Sequence, residues 1–346
     1  MTLRLFTIVL TGWFLAGTVR AEDPGLDIYF VDVLGGAATL IVTPEKESIL
    51  IDSGWPGLED RDPKRIAHVL KDVAGLKHLD HMVTTHWHVD HYGGVEGLTR
   101  LLEIKNFWDR GLPEDQLSDV AFPDGPKADD PLGIAYRKAS AGKRKAVLAG
   151  NTLPLKPGVV AEAIVSGAKP ITVHGPVNPL TASAPADHEV DGSDNAQSLG
   201  FHFKYKDFDF LDLGDLTWNI EKSLVCPIDR IGKIDLYQVT HHGMDISNHP
   251  TLLQTVSPTV AVMNNGPRKG GSAETVKRLR ALKALEALYA LHKNQATSAQ
   301  DNADPALTAN ANAEGGQFVH VHVEPDGRHF TVRIGTDGLT KRFETR

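Results

Sequence analysis

Cysteine is nearly absent: Cys226 stands alone among 346 residues, which excludes an intrachain disulfide and any thiolate-rich zinc site. Cations are in the minority, 36 Lys and Arg against 44 Asp and Glu for a formal charge of −8. Affinity for nucleic acid comes largely from cations that neutralise phosphates, so a protein whose main task is coating nucleic acid is disfavoured. Long apolar runs are missing too; the longest candidate, Leu5 to Gly17, falls short of the ~20 residues that a membrane-spanning helix needs. What is abundant is histidine, with 16 residues. A bound metal would therefore have to be held by imidazole and carboxylate. The balance of 41% hydrophobic and 23% charged residues is that of a globular chain with a real core, and the length allows either two domains or one large domain with an insertion.

The amino terminus reads as an address. Arg4 supplies a short positive region, Leu5 to Gly17 an apolar stretch, and Val19-Arg20-Ala21 small residues at both positions that a signal peptidase inspects. A signal peptide over residues 1–21, cleaved after Ala21, predicts an exported protein, periplasmic or secreted, with no membrane attachment after cleavage. Removing Arg4 and Arg20 takes the formal charge from −8 to −10.

Along residues 22–346, β-branched runs predict strands at 28–33, 39–43 and 48–52. Apolar spacing predicts a helix over 63–73, a strand at 82–85 and a helix at 94–102. The stretch 111–193 is rich in Pro, Gly, Ala and charge, carries Lys143-Arg144-Lys145, and reads as an irregular insertion or lid. Further strands are expected at 199–205, 208–213, 236–240 and 259–263, then a helix over 273–291 capped by Ser272, a surface loop over 294–316, and a hairpin of 318–323 with 329–334. Strand runs interrupted by helices on either side predict an α/β fold layered as a four-layer αββα sandwich.

The informative segment is Thr84-Thr85-His86-Trp87-His88-Val89-Asp90-His91-Tyr92-Gly93-Gly94. Neither a period of 2 nor one of 3.6 places its three imidazoles and its carboxylate on one side, so no amphipathic face explains them. A tight loop can turn all four toward one ion, and the two glycines let the chain leave close to it. Divalent metals such as Zn²⁺ take neutral imidazole and carboxylate oxygen at about 2.0–2.2 Å.

This HxHxDH segment resembles the signature of the metallo-β-lactamase-fold hydrolases, and residues 27–265 support the resemblance in order: Asp52 in Leu50-Ile51-Asp52-Ser53-Gly54, Asp215 in Leu211-Asp212-Leu213-Gly214-Asp215, and a last His in Val239-Thr240-His241-His242-Gly243. The double His, Val31-Asp32-Val33 and Asp194-Asn195-Ala196-Gln197-Ser198-Leu199 look most like the branch containing the metallo-hydrolase domain of DNA-uptake competence channels, and bacterial phosphorylcholine esterases are similar in the same places. That branch commonly carries a Gly-Gln-Gly-Asp-like stretch after the first strand; here Gly35-Gly36-Ala37-Ala38 stands instead, so no role of that Asp carries over.

The resemblance implies two divalent metals, Zn²⁺ with Mn or Fe as alternatives. The first would be held by His86 and His88, the second by Asp90, His91 and His241, with Asp215 bridging and with Asp90 and Asp215 orienting and deprotonating the attacking water. Many family members have a further His on the first metal. His174, His188 and the pair Asp194-Asn195 compete for that position; Asp194 or Asn195 is favoured, with His174 as the rival, and His242 is left beside the substrate. Arg268 and Lys269, just before a helix start, would form an anion site. Trp87, Tyr92 and Trp218 serve either packing or recognition. These readings point to a metal-dependent hydrolase, preferentially of a phosphoester in a small or locally recognised anionic substrate. An amide or lactone hydrolase and a non-catalytic metal-binding scaffold are the alternatives.

Overall fold

The computed structural model describes residues 24–118, 120–173, 175–312 and 314–346; residues 1–21, expected to be a signal peptide, and His174 lie outside them. Among the described residues no helix is long and apolar enough to cross a membrane.

Among the described residues, seventeen strands run in chain order: β1 Leu26–Phe30, β2 Thr39–Val42, β3 Ser48–Ile51, β4 Leu79–Thr84, β5 Ile104–Asp109, β6 Arg144–Ala146, β7 Val160–Ser166, β8 Lys169–Pro170, β9 Gly200–Tyr205, β10 Phe208–Asp212, β11 Leu236–Gln238, β12 Val260–Met263, β13 Ala287–His292, β14 Thr308–Asn310, β15 Val319–Val323, β16 His329–Ile334 and β17 Lys341–Glu344. The helices are α1 Arg61–His68, α2 Val89–Tyr92, α3 Val95–Leu101, α4 Pro131–Ser140, α5 Trp218–Val225, α6 Pro250–Val256 and α7 Ala273–Arg280. One sheet has the order β17-β16-β15-β1-β2-β3-β4-β5-β6, the other β14-β13-β12-β11-β10-β9-β7-β8.

Three apolar clusters define the layers. Between the sheets, Ile28, Phe30, Ile49 and Ile51 meet Phe201, Phe203, Phe210 and Val262. On the far side of the first sheet, Leu40, Leu50 and Met82 pack on Ile66 of α1, Leu98 of α3 and Tyr136 of α4. On the far side of the second, Leu211, Tyr237 and Ala261 pack on Leu224, Leu252, Leu253, Val276 and Leu279 of α5 to α7. Sheets buried on both faces, each backed by helices, make the expected αββα sandwich. Strands read as continuous apolar runs for the same reason.

Three element expectations are corrected. The stretch 111–193 is not irregular throughout: it carries α4, β6, β7 and β8, and β7 pairs antiparallel with β9 inside the second sheet. Its inward residues Ala161 and Ala163 are small, so the strand carries little hydrophobic signal. The helix expected over 273–291 stops at Arg280, and 287–292 is a strand paired parallel to β12. The Ala/Leu-rich run has high helix propensity, yet both faces are buried: Ala287, Tyr289 and Leu291 between the sheets, Leu288 and Ala290 under the helices. Tertiary burial overrides propensity here. Within 294–316, Thr308–Asn310 pairs with β13. Ser272 does cap α7, its side chain accepting from the Thr275 amide.

The parallel segments β3-β4-β5-β6 and β10-β11-β12-β13 set the place for chemistry. Ligands of open α/β sheets gather outside the carboxyl ends of parallel strands, and those ends here carry Asp52, His86, Asp215, His241 and Lys269.

Candidate metal centre

His86 to Gly94 leave β4 as a tight turn followed by the one-turn helix α2. Glycine is required on the way out: a Cβ on Gly94 would lie 2.0 Å from the Ser53 carbonyl oxygen, and one on Gly93 2.3 Å from that of Val89. Asp52, at the end of β3, braces this turn. It accepts from the Thr85 amide at 2.8 Å, from the Thr85 hydroxyl at 2.7 Å and from His91 Nδ1 at 2.6 Å. With Nδ1–H so engaged, His91 turns the lone pair of Nε2 inward, as carboxylate-oriented metal-binding histidines do.

That nitrogen meets Asp90 Oδ2 at 3.3 Å and Asp215 Oδ2 at 3.2 Å. His242 Nε2 lies 3.3 Å from Asp90 Oδ2, 3.2 Å from Asp215 Oδ2 and 3.3 Å from His91 Nε2, while its Nδ1 lies 3.3 Å from the Asn264 carbonyl oxygen. Ligand atoms of Asp90, His91, Asp215 and His242 thus fall within 4.8 Å of one another, all buried. Four acceptors at such range repel unless a proton or a cation sits among them. Protons can answer. Burial alone would lower His91, but Asp215, Asp90 and Asp52 hold it well above the usual imidazole range. Burial would raise Asp215 and Asp90, but the facing imidazoles hold both well below the usual carboxylate range. A divalent ion satisfies the same four atoms, and this donor set fits Zn²⁺, Mn²⁺ or Fe²⁺.

His86 adds a second observation: its Nε2 is buried with no hydrogen-bond partner and points to Asp215 Oδ2 at 4.0 Å. Burial pushes its imidazolium well below the usual range, which keeps the ring neutral and able to ligate. His88 is the more exposed partner; its ring lies 4.8 Å from that of His86, centroid to centroid, and its Nε2 is 3.1 Å from Asp124 Oδ2.

The geometry changes three assignments. His242, expected beside the substrate, joins Asp90, His91 and Asp215, whereas His241 stands outside that group, its Nε2 3.5 Å from Asp215 Oδ2 and 3.5 Å from Asn195 Nδ2. Asp194, expected on the first metal, is turned away and fully buried: it ion-pairs with Arg110 and accepts from the Trp87 amide at 2.6 Å. A carboxylate this deep is paired with the nearest cation because an unpaired buried charge is costly. Of the expected anion site, Arg268 is exposed. Lys269 enters, pairing with Asp90 and lying 5.4 Å over the Trp55 ring.

Two residues found here, Asp124 and Arg110, were missed in the sequence. Asp124 comes from the loop before α4, and its only sequence context was a Pro/Gly-rich stretch. Arg110 follows β5 directly, a strand-end cation that could have been noticed. Asp32 accepts from His292 Nε2 at 2.7 Å, Arg65 at 2.8 Å, and the Leu34 and Gly316 amides at 2.9 and 2.7 Å. It fixes the loop whose Ala37 amide donates to the Asp90 carbonyl oxygen. Trp87 and Tyr92 are packing residues, edge-to-face with each other and with Tyr136. Trp218 lines a cavity of about 300 Å³ with His188, Ser193, Asn195 and Ile246, which reaches the centre at Asn195. Arg144, from the Lys143-Arg144-Lys145 run, pairs with Asp109 and Asp115. Cys226 is half-buried against the helix side of the second sheet.

Among curated proteins no sequence matches the chain. Solved structures with similar folds include a protein described as a metal-dependent hydrolase from Parabacteroides distasonis (14% identity over 76% of this chain and 92% of that one, TM-score 0.41). They also include the diiron β-hydroxylase CmlA from Streptomyces venezuelae (14%, 77% and 48%, TM-score 0.36) and Zn²⁺-bound PqqB from Methylobacterium extorquens (12%, 61% and 72%, TM-score 0.36). Residues 31–177 match the family model of the metallo-beta-lactamase superfamily. That match covers less than half of the chain and agrees with the signature loop and the αββα sandwich, so the chain is similar to this superfamily of metal-dependent hydrolases.

Proposed function

We propose that the protein is an exported hydrolase with a dinuclear metal centre that activates water for attack on a phosphoester in a small anionic substrate. The observation that carries this reading is the convergence of Asp90, His91, Asp215 and His242 beside the partnerless Nε2 of His86. The second metal would be held by Asp90, His91, Asp215 and His242, and the first by His86 and His88, with Asp215 shared. Two bound metals would lower the pKa of a shared water and stabilise attacking and leaving oxygens.

The chain's own residues supply the rest. Asp90 and Asp215 orient the water and accept its proton. Asp52 holds His91 in the ligating tautomer. Lys269 stands at the rim, its ammonium against Asp90 and the Trp55 face; once a metal neutralises Asp90, that ammonium is free to meet an anionic substrate oxygen. A cation at this place favours a phosphoester over a neutral amide or lactone. Export rests on the signal-like residues 1–21, and the formal charge of −8 favours local recognition of an anion over broad binding to nucleic acid.

The test is hydrolysis of bis-nitrophenyl phosphate, nitrocefin and a homoserine lactone by protein loaded with Zn²⁺ or Mn²⁺. Turnover of the phosphodiester, lost in His91→Ala, is expected. Turnover of the other two alone would replace the phosphoester by an amide or lactone. Less than one metal per chain with no turnover would leave only a scaffold.

A further inference from the structure

The first metal lacks a third imidazole or carboxylate now that Asp194 is bound to Arg110. We infer that the tandem histidines divide between the two metals, His242 serving the second and His241 completing the first with His86 and His88. This rests on the dinuclear reading above.

Hydrogen-bond direction carries the argument. Ser247 Oγ donates to the Leu216 carbonyl oxygen at 2.8 Å, so toward His241 Nδ1, at 3.1 Å, it acts as an acceptor. Nδ1 therefore bears the proton and Nε2 the lone pair. His86 repeats the arrangement: the Thr85 hydroxyl donates to Asp52 at 2.7 Å and accepts from His86 Nδ1 at 3.1 Å, leaving the His86 Nε2 lone pair inward. Both rings aim that nitrogen at Asp215 Oδ2, from 3.5 and 4.0 Å. Ligand atoms about 2.0–2.2 Å from a common ion lie roughly 3–3.5 Å apart, so small side-chain movements bring the two nitrogens and the shared oxygen onto one ion. The same oxygen also lies 3.2 Å from Nε2 of His91 and 3.2 Å from Nε2 of His242.

Backbone geometry explains how adjacent histidines can both reach one carboxylate. His241 and His242 have φ of 56° and 53°, the left-handed region that costs a non-glycine residue on the order of 1 kcal/mol or more and persists mainly where the surroundings enforce it. In an extended strand end, only one of two adjacent side chains would face the centre; this turn lets both bring Nε2 to Asp215 Oδ2, at 3.5 and 3.2 Å. Buried rings with fixed tautomers are the form in which histidine ligates.

Metal stoichiometry and chelator competition separate the outcomes. Wild type is expected to bind two ions. His241→Ala and His88→Ala should each weaken one dissociation constant at least tenfold, and the double variant should still bind one ion tightly, because both residues serve one site. His241→Ala combined with His91→Ala should bind none. His241→Gln, with the melting temperature of the chelator-treated protein unchanged, guards against a folding defect. Two tight ions in His241→Ala would overturn the division while leaving the dinuclear reading intact, as would a His241→Ala/His91→Ala double that keeps one tight ion. A wild type that binds no ion would overturn both.

Discussion

At the scale of single residues, the site is a set of enforced tautomers. Asp52, Thr85, Ser247 and the Asn264 carbonyl each take or direct the Nδ1 proton of a different histidine, and the four Nε2 atoms are thereby committed to Asp215. The signature residues were legible in the sequence because no ordinary periodicity explains three imidazoles and a carboxylate in six positions. Their partition was not, since which of two adjacent histidines turns which way depends on a backbone φ that the side chains do not announce. Asp194 was misread for a related reason: its competitor Arg110 lies 84 positions away. The Arg110–Asp194 pair is fully buried, so Arg110→Met strands a carboxylate under the signature loop. It should cost about 3–5 kcal/mol, read as a fall in the denaturant midpoint, whereas Arg268→Met, at an exposed position, should leave the midpoint unchanged.

Glu221 offers a pH test away from the centre. Burial raises its carboxyl to about 7, above its usual range. The folded protein then binds this proton more tightly than the unfolded chain does. Stability from Glu221 is accordingly greatest in acid and declines as pH rises from about 4.5 to 7, by on the order of 3 kcal/mol at most. Glu221→Gln should flatten the stability profile across that window in chemical denaturation; an unchanged slope would mean that Glu221 ionises normally.

Elements deliver these residues by tight contact between loops. The segment after β12 folds back on the His241–Gly243 turn, with the Gly271 amide donating to the His242 carbonyl oxygen at 2.8 Å. Gly270 has φ of 75°, and a Cβ there would lie 2.1 Å from that same oxygen. A Cβ there would also lie 2.6 Å from that of His242, so Gly270→Ala should displace this histidine and weaken one metal at least tenfold in chelator competition. Legibility at this scale followed burial. β-branched strands such as β2, β3 and β12 were visible, while β7 hid behind small alanines and β13 behind a helix-favouring Ala/Leu run whose alternation only the two flanking layers reveal.

For the whole molecule, two sheets buried on both faces leave the carboxyl ends of their parallel strands as the place where unsatisfied polar side chains gather, and both sheets contribute: Asp90 and His91 follow β4 of the first, Asp215 and His242 follow β10 and β11 of the second. The centre therefore straddles the interface between the two halves of the sandwich, and a metal there ties them together. The measurement that bears on this most directly is anomalous diffraction from crystals soaked in Zn²⁺. A peak ringed by Asp90, His91, Asp215 and His242, with a second on the His86 side of Asp215, is the expected result; strong Zn²⁺ peaks elsewhere and none at Asp215 would contradict it.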